Sequence, residues 1–100
     1  MSALQALSDP TRQRIVEMLA TGALSSGEIA GRFALSAPAI SQHLKTLKTA
    51  RLVTVRIDRQ KRIYALDPDG VAELGTWVDR IRAFWNPRLD ALEAALKKGD

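Results

Sequence analysis

Apolar residues recur along this chain mostly at helical spacing. Ala3, Leu4 and Leu7 predict a short N-terminal helix that packs but cannot stand alone. Ile15, Val16, Leu19 and Ala20 form one stripe behind Asp9-Pro10, which reads as a helix start. Asp9 can accept from first-turn amides, and Pro10 has no N–H to leave unpaired. Gly22 predicts the stop. Ser25-Ser26-Gly27-Glu28 has capping-box spacing and opens a short helix that presents Ile29, Ala30 and Phe33 to the core. After an Ala34-Leu35 turn, Ser36 caps another helix, with Pro38 tolerated in its first turn. Its apolar face is Ile40, Leu44 and Leu47, and opposite lie Pro38, Gln42, Lys45 and Thr49, flanked by Ser41 and Lys48. The outer surface is therefore small, polar and basic.

The period then changes from about four to two. Leu52 to Ile57 alternates, with Val53, Val55 and Ile57 on one face and Thr54 and Arg56 on the other. Arg62 to Leu66 is a second such run, and Asp58-Arg59-Gln60-Lys61 is a polar hairpin tip without the glycine a tight turn favours. Asp67-Pro68-Asp69-Gly70 combines turn chemistry with a new helix start. Beyond Val71, apolar positions at Leu74, Trp77, Val78, Ile81, Phe84, Trp85, Leu89, Leu92 and Leu96 predict one long helix, bent at Pro87. The expected fold is mainly α with a small β-hairpin (α+β), a helix-turn-helix followed by a wing. It forms a single domain over residues 1–100, with the outward helix at about 37–50, the wing at about 53–66 and the last helix at about 68–97.

A length of 100 residues, 46% apolar and 26% charged, suits one small globular domain. The absence of cysteine excludes disulfides, thiolate metal sites and a cysteine nucleophile, and one histidine, His43, rules out a multi-histidine site within the chain. No cofactor and no metal is expected. No apolar run reaches the roughly 18 residues of a bilayer span, and no basic-then-apolar leader opens the chain, so a cytoplasmic protein with no membrane partner is expected. No nucleophile–base pair or glycine-rich phosphate loop is present, and no enzyme activity is expected.

Charge changes the picture most. The net charge is +4, yet Ser36 to Leu66 holds seven basic residues and one acid, an excess of +6, leaving −2 elsewhere. A contiguous basic third of a folded domain is the footprint of a polyanion-binding face. A helix with short outer side chains fits the major groove, while cations further along it and on a hairpin neutralise the flanking backbone. Candidate contacts to double-stranded DNA are Ser36, Ala37, Pro38, Ser41, Gln42, Lys45 and Lys48 on the helix, with Arg56, Arg59, Lys61 and Arg62 on the wing. His43, towards the core flank, reads as a packing or phosphate-contacting residue. The rival readings are a winged-helix module that binds protein and a sequence-indifferent DNA binder.

Several motifs in order resemble the ArsR-type (ArsR/SmtB) transcriptional repressors. They are Ala6-Leu7-Ser8-Asp9-Pro10-Thr11-Arg12, Ile15-Val16-Glu17-Met18-Leu19, Leu35-Ser36, Ala39-Ile40-Ser41-Gln42-His43-Leu44-Lys45 and the hairpin ending Ile63-Tyr64-Ala65-Leu66. The aromatic stretch Trp77 to Trp85 is similar to a metal-independent subgroup of SdpR-like autorepressors. The resemblance implies a homodimeric winged-helix repressor or autorepressor on an inverted-repeat operator. Its base-reading positions fall on Ala37, Pro38, Ser41 and Gln42, and its first and last helices form the dimer interface. The apolar excess of the long helix points the same way, and Leu4, Leu7, Trp77, Ile81, Phe84, Trp85, Leu89 and Leu92 are the candidate dimer residues. A small hydrophobic effector nested among the rings is an alternative use of that cluster. The family's metal sensing does not carry over. Ser25, Ser26 and Gly27 stand where some members place thiols, and Asp79, Arg80 and Arg82 where others place histidines and acids.

Overall fold

The computed structural model describes residues 2–98, without the side chains of residues 2, 86, 89, 90 and 98. Its elements are α1 (Ser2–Ala6), α2 (Pro10–Leu19), β1 (Leu24–Ser25), α3 (Ser26–Ala30), α4 (Ala37–Thr49), β2 (Val53–Asp58), β3 (Lys61–Leu66) and α5 (Pro68–Lys98). The expected caps set the helix starts. Asp9 Oδ2 accepts from the Arg12 amide at 3.0 Å, and Ser36 Oγ accepts from the Ala39 amide at 3.2 Å. Ser25 and Glu28 form the reciprocal box, with Glu28 N donating to Ser25 Oγ at 3.1 Å and Ser25 N to Glu28 Oε1 at 3.0 Å. Ile15, Leu19, Ile29, Ile40, Leu44, Leu47, Leu52 and Val53 are buried together as the centre of the core.

Two features differ from the pattern reading. The hairpin belongs to a three-stranded antiparallel sheet of order β1-β3-β2, because Leu24 and Ser25 pair with Tyr64 and Ile63. A two-residue strand has no alternation to read, and its partner is distant in sequence. Ile57 shares its strand with buried Val53 and half-buried Val55 but is 66% exposed, since the hairpin runs past the edge of the body.

The junction from α4 to α5 is closely fitted. Arg51 adopts φ +61°, while Arg51 N donates to Lys48 O and Leu52 N to Leu47 O, both at 3.0 Å. This is a Schellman-type stop with arginine where glycine is usual. Asp67 N donates to Leu52 O at 2.9 Å, and Asp67 Oδ1 accepts from Asp69 N at 3.0 Å, so α5 starts against the end of α4. Gly70 is buried there, and a Cβ on it would lie 1.6 Å from the Arg51 carbonyl oxygen.

One helix runs through Pro87 to Lys98. Leu74 packs against the core, but every described side chain from Val78 to Lys97 is exposed. The molecule measures 65 × 27 × 23 Å with a radius of gyration of 18.5 Å. A compact chain of this length would have about 13 Å. No helix among the described residues is long and apolar enough to cross a membrane.

Candidate nucleic-acid interface

Burial of Ile40, Leu44 and Leu47 fixes the rotation of α4. Ala37, Pro38, Ser41, Gln42, Lys45 and Lys48 are consequently exposed on its other side. Among the described residues, the Ser41 hydroxyl and the Gln42 carboxamide have no hydrogen-bond partner, whereas Ser36 Oγ is turned onto the Ala39 amide. The helix thus begins apolar, turns polar one turn later and ends basic.

The wing stands beside that face. Its register pairs Val55 with Tyr64, Ile57 with Arg62 and Asp58 with Lys61. Arg59 and Gln60 make the two-residue turn, with Arg59 at φ +60°, the left-handed conformation that glycine would supply more easily. A groove of about 400 Å³ separates α4 from the wing, lined by Pro38, Ser41, Gln42, Lys45, Lys48 and Arg62 with Val55 and Tyr64 among its walls. Lys45, Lys48 and Arg62 give it three cations and no acid. Sequence reading missed Val55 and Tyr64 as groove walls, because an apolar strand residue looks the same whether it faces a core or a cleft.

Not every basic residue of the charged third faces this groove. Arg51 Nη1 lies 3.5 Å from Glu73 Oε1 on α5, and Arg56 Nη1 lies 3.8 Å from Asp58 Oδ2, both exposed pairs. Such pairs stabilise by at most about 1 kcal/mol, so Arg56 remains available to a stronger anion. His43 faces inward instead. Arg12 Nη1 approaches its Nδ1 at 3.3 Å, Asp9 Oδ2 lies 3.9 Å away, and only 21% of the side chain is exposed. Arg12 Nε also donates to Ala6 O at 2.6 Å, tying the end of α1 to α4. Sequence spacing gave no sign of this link between residues 31 positions apart.

Two acids here titrate below their ordinary range. The Arg12 amide hydrogen bond is the main cause at Asp9, with the charges of His43 and Arg12 adding to it. At Glu28 the hydrogen bond from the Ser25 amide dominates, followed by that with the Ser25 side chain. Both carboxylates act as helix caps, Asp9 on the Arg12 amide and Glu28 on the Ser25 amide. Among the described residues no group of three or more His, Cys, Asp or Glu could hold a metal ion.

The candidate dimer residues lie apart from the groove. Leu7 packs against the core and Trp77 is half-buried, while Leu4, Ile81, Phe84, Trp85 and Leu92 are exposed. The Leu89 side chain lies outside the described residues. Phe84 and Trp85 meet edge to face at 6.1 Å, and the Arg88 guanidinium sits 4.1 Å from the Phe84 centroid.

Comparison with known proteins agrees with this geometry. The profile of the family described as "Bacterial regulatory protein, arsR family" matches residues 9–55. The chain is 54% identical over 87 residues to the HTH-type transcriptional regulator Rv2034 of Mycobacterium tuberculosis, covering 87% of this chain and 78% of that protein. It is 35% identical over 74 residues to the transcriptional repressor SdpR of Bacillus subtilis, covering 74% and 82%. Its fold is shared with the homodimeric winged helix-turn-helix DNA-binding domain of Mb0332 from Mycobacterium bovis, at TM-score 0.68, 26% identity and 82% and 76% coverage. The α3–turn–α4 unit, the β2–β3 wing and these relationships place the chain in the arsR family of bacterial regulatory proteins, which are winged-helix DNA-binding transcriptional regulators rather than enzymes.

Proposed function

We propose that the protein is a homodimeric repressor that binds an inverted-repeat operator without a metal effector. One observation supports this above all: the groove between α4 and the wing, lined by three cations and no acid, with Ser41 and Gln42 on its helix side, neither side chain hydrogen-bonded among the described residues. In this reading α4 enters the major groove, where Ser41 and Gln42 bond base edges and Ala37 and Pro38 make apolar contact. Lys45, Lys48 and Arg62 hold phosphates beside it, while Arg56, Arg59 and Lys61 reach the backbone or minor groove from the wing. His43, held by Arg12, orients the helix rather than reading bases. The exposed apolar face of α5, with Leu4 of α1 and Leu7 just beyond it, supports dimerisation, as does the homodimeric state of the Mb0332 domain. Repression is supported by the likeness to SdpR. Metal independence rests on ligand chemistry, since the chain has no thiol and one histidine.

Selection of bound duplexes from a random library tests the reading. An inverted repeat with half-site centres about one helical turn apart should enrich, unchanged by zinc, cadmium or arsenite. Failure to enrich any sequence, despite salt-sensitive binding, would make the protein a sequence-indifferent binder instead.

A further inference from the structure

We propose that the first turn of α4 is a thymine reader, with Ala37 and Pro38 forming an apolar seat for the C5 methyl of a thymine in each half-site. This deepens the DNA-binding reading above and rests on it.

Ala37 and Pro38 are exposed at the head of α4, and neither side chain carries a hydrogen-bond donor or acceptor. Pro38 lines the groove between α4 and the wing, so it stands on the side where DNA would lie. Ser36, which precedes them in the chain, has its oxygen engaged by the Ala39 amide, and the free hydroxyl of Ser41 lies one turn further along the helix. The leading end of the helix therefore meets the major groove with an apolar surface. Of the four base-pair edges displayed there, only thymine offers an apolar group, its C5 methyl. The other edges present donors or acceptors that Ala37 and Pro38 would strip of water and leave unpaired, which costs free energy.

The next turn narrows the choice further. Gln42, four residues on from Pro38, carries a carboxamide with no partner among the described residues. Its paired donor and acceptor match the N6 and N7 atoms of adenine. Arginine, which most often reads guanine through a fork of two hydrogen bonds, is absent from the first two turns of α4. The cations of this helix, Lys45 and Lys48, follow later. The half-site core is accordingly rich in A·T pairs, with at least one thymine recognised by its methyl alone.

Deoxyuridine isolates that contact, because it keeps the pairing and the O4 acceptor of thymine and lacks only the methyl. Each thymine of the selected operator is replaced in turn, at symmetric positions of both half-sites, and affinity is measured for the full-length protein. At one position the replacement should weaken binding about fourfold per half-site, the effect of one buried methyl-sized group. Pro38→Ser or Ala37→Ser should abolish the difference between thymine and deoxyuridine at that position. An unchanged urea unfolding midpoint and far-UV circular dichroism spectrum in these variants confirm that they remain folded. Equal binding at every thymine position would overturn the proposal, as would a methyl effect that survives in both serine variants. Equal binding of operator and random duplex would overturn this proposal and the DNA-reading function together, so the deoxyuridine comparison alone separates the two.

Discussion

Gln42 and Arg59 would contribute to the same complex in different ways, because one lies on a rigid helix and the other at the tip of a hairpin. The carboxamide of Gln42 can meet one base edge in fixed geometry. Gln42→Ala should cost about 1–3 kcal/mol on the operator, relax the preference at one position, and leave random duplex nearly unaffected. Arg59 is exposed at the wing turn, where reach is long and orientation loose. Arg59→Ala should weaken operator and random duplex alike and lower the salt slope by about one unit for each phosphate contact removed. Titrations of both variants across a salt series check these outcomes, and the reverse assignment would follow if Arg59→Ala changed base preference. Gly70 is a third residue with a specific role. Alanine normally favours a helix over glycine by about 1 kcal/mol. Here its methyl would collide with the Arg51 carbonyl, and the clash should win by about 2 kcal/mol or more. A lower urea midpoint for Gly70→Ala checks that, and a stabilised variant would mean that the α4–α5 junction is looser than it stands.

Between residue and fold, the helix starts show what the sequence disclosed and what it hid. Asp9-Pro10, Ser25 with Glu28, and Ser36 were legible because a cap acts over three or four residues, so its pattern is local. The buried faces of α2 and α4 were legible for the same reason. Strand β1, the Schellman stop at Arg51 and the Arg12–His43 link were not. Each depends on a partner brought close only by tertiary packing, or on a residue type that its conformation does not favour. The candidate interface followed this division. Ser41, Gln42, Lys45, Lys48 and the core-flank position of His43 were readable from helical period, while Val55, Tyr64 and the Arg12 partner of His43 required the packed wing and α2. The caps also make a prediction about acid. Asp9 and Glu28 titrate lower in the folded chain than their ordinary values, so the unfolded chain binds more protons in the interval between. Their stabilisation is complete above the ordinary carboxylate range and is lost as pH falls through the lowered folded values. Unfolding midpoints measured from neutral pH downward should fall there. Asp9→Asn with Glu28→Gln should flatten that decline, and an equally steep decline in this variant would assign it to other groups.

At the scale of the molecule, a body with a single core carries a 31-residue helix whose described side chains from Val78 onward are all exposed. Ile81, Phe84, Trp85, Leu92 and Leu96 are all exposed on it, an apolar face of the kind that serves as an interaction site. Pairing of two copies through α5 and α1 would cover it and set two α4 helices on one side of a twofold axis. Sedimentation or light scattering at micromolar concentration should therefore give about twice 11.0 kDa. A clean monomer would contradict the dimer. That symmetry and the chemistry of α4 meet in one quantity, the ratio of affinities for the selected inverted repeat and a random duplex of equal length at one salt concentration. The ratio should be about 10³ or more, with two chains bound per operator, and should fall sharply when one half-site is scrambled. A ratio near one, with binding that still weakens steeply in salt, would show that the protein grips the DNA backbone without reading its sequence.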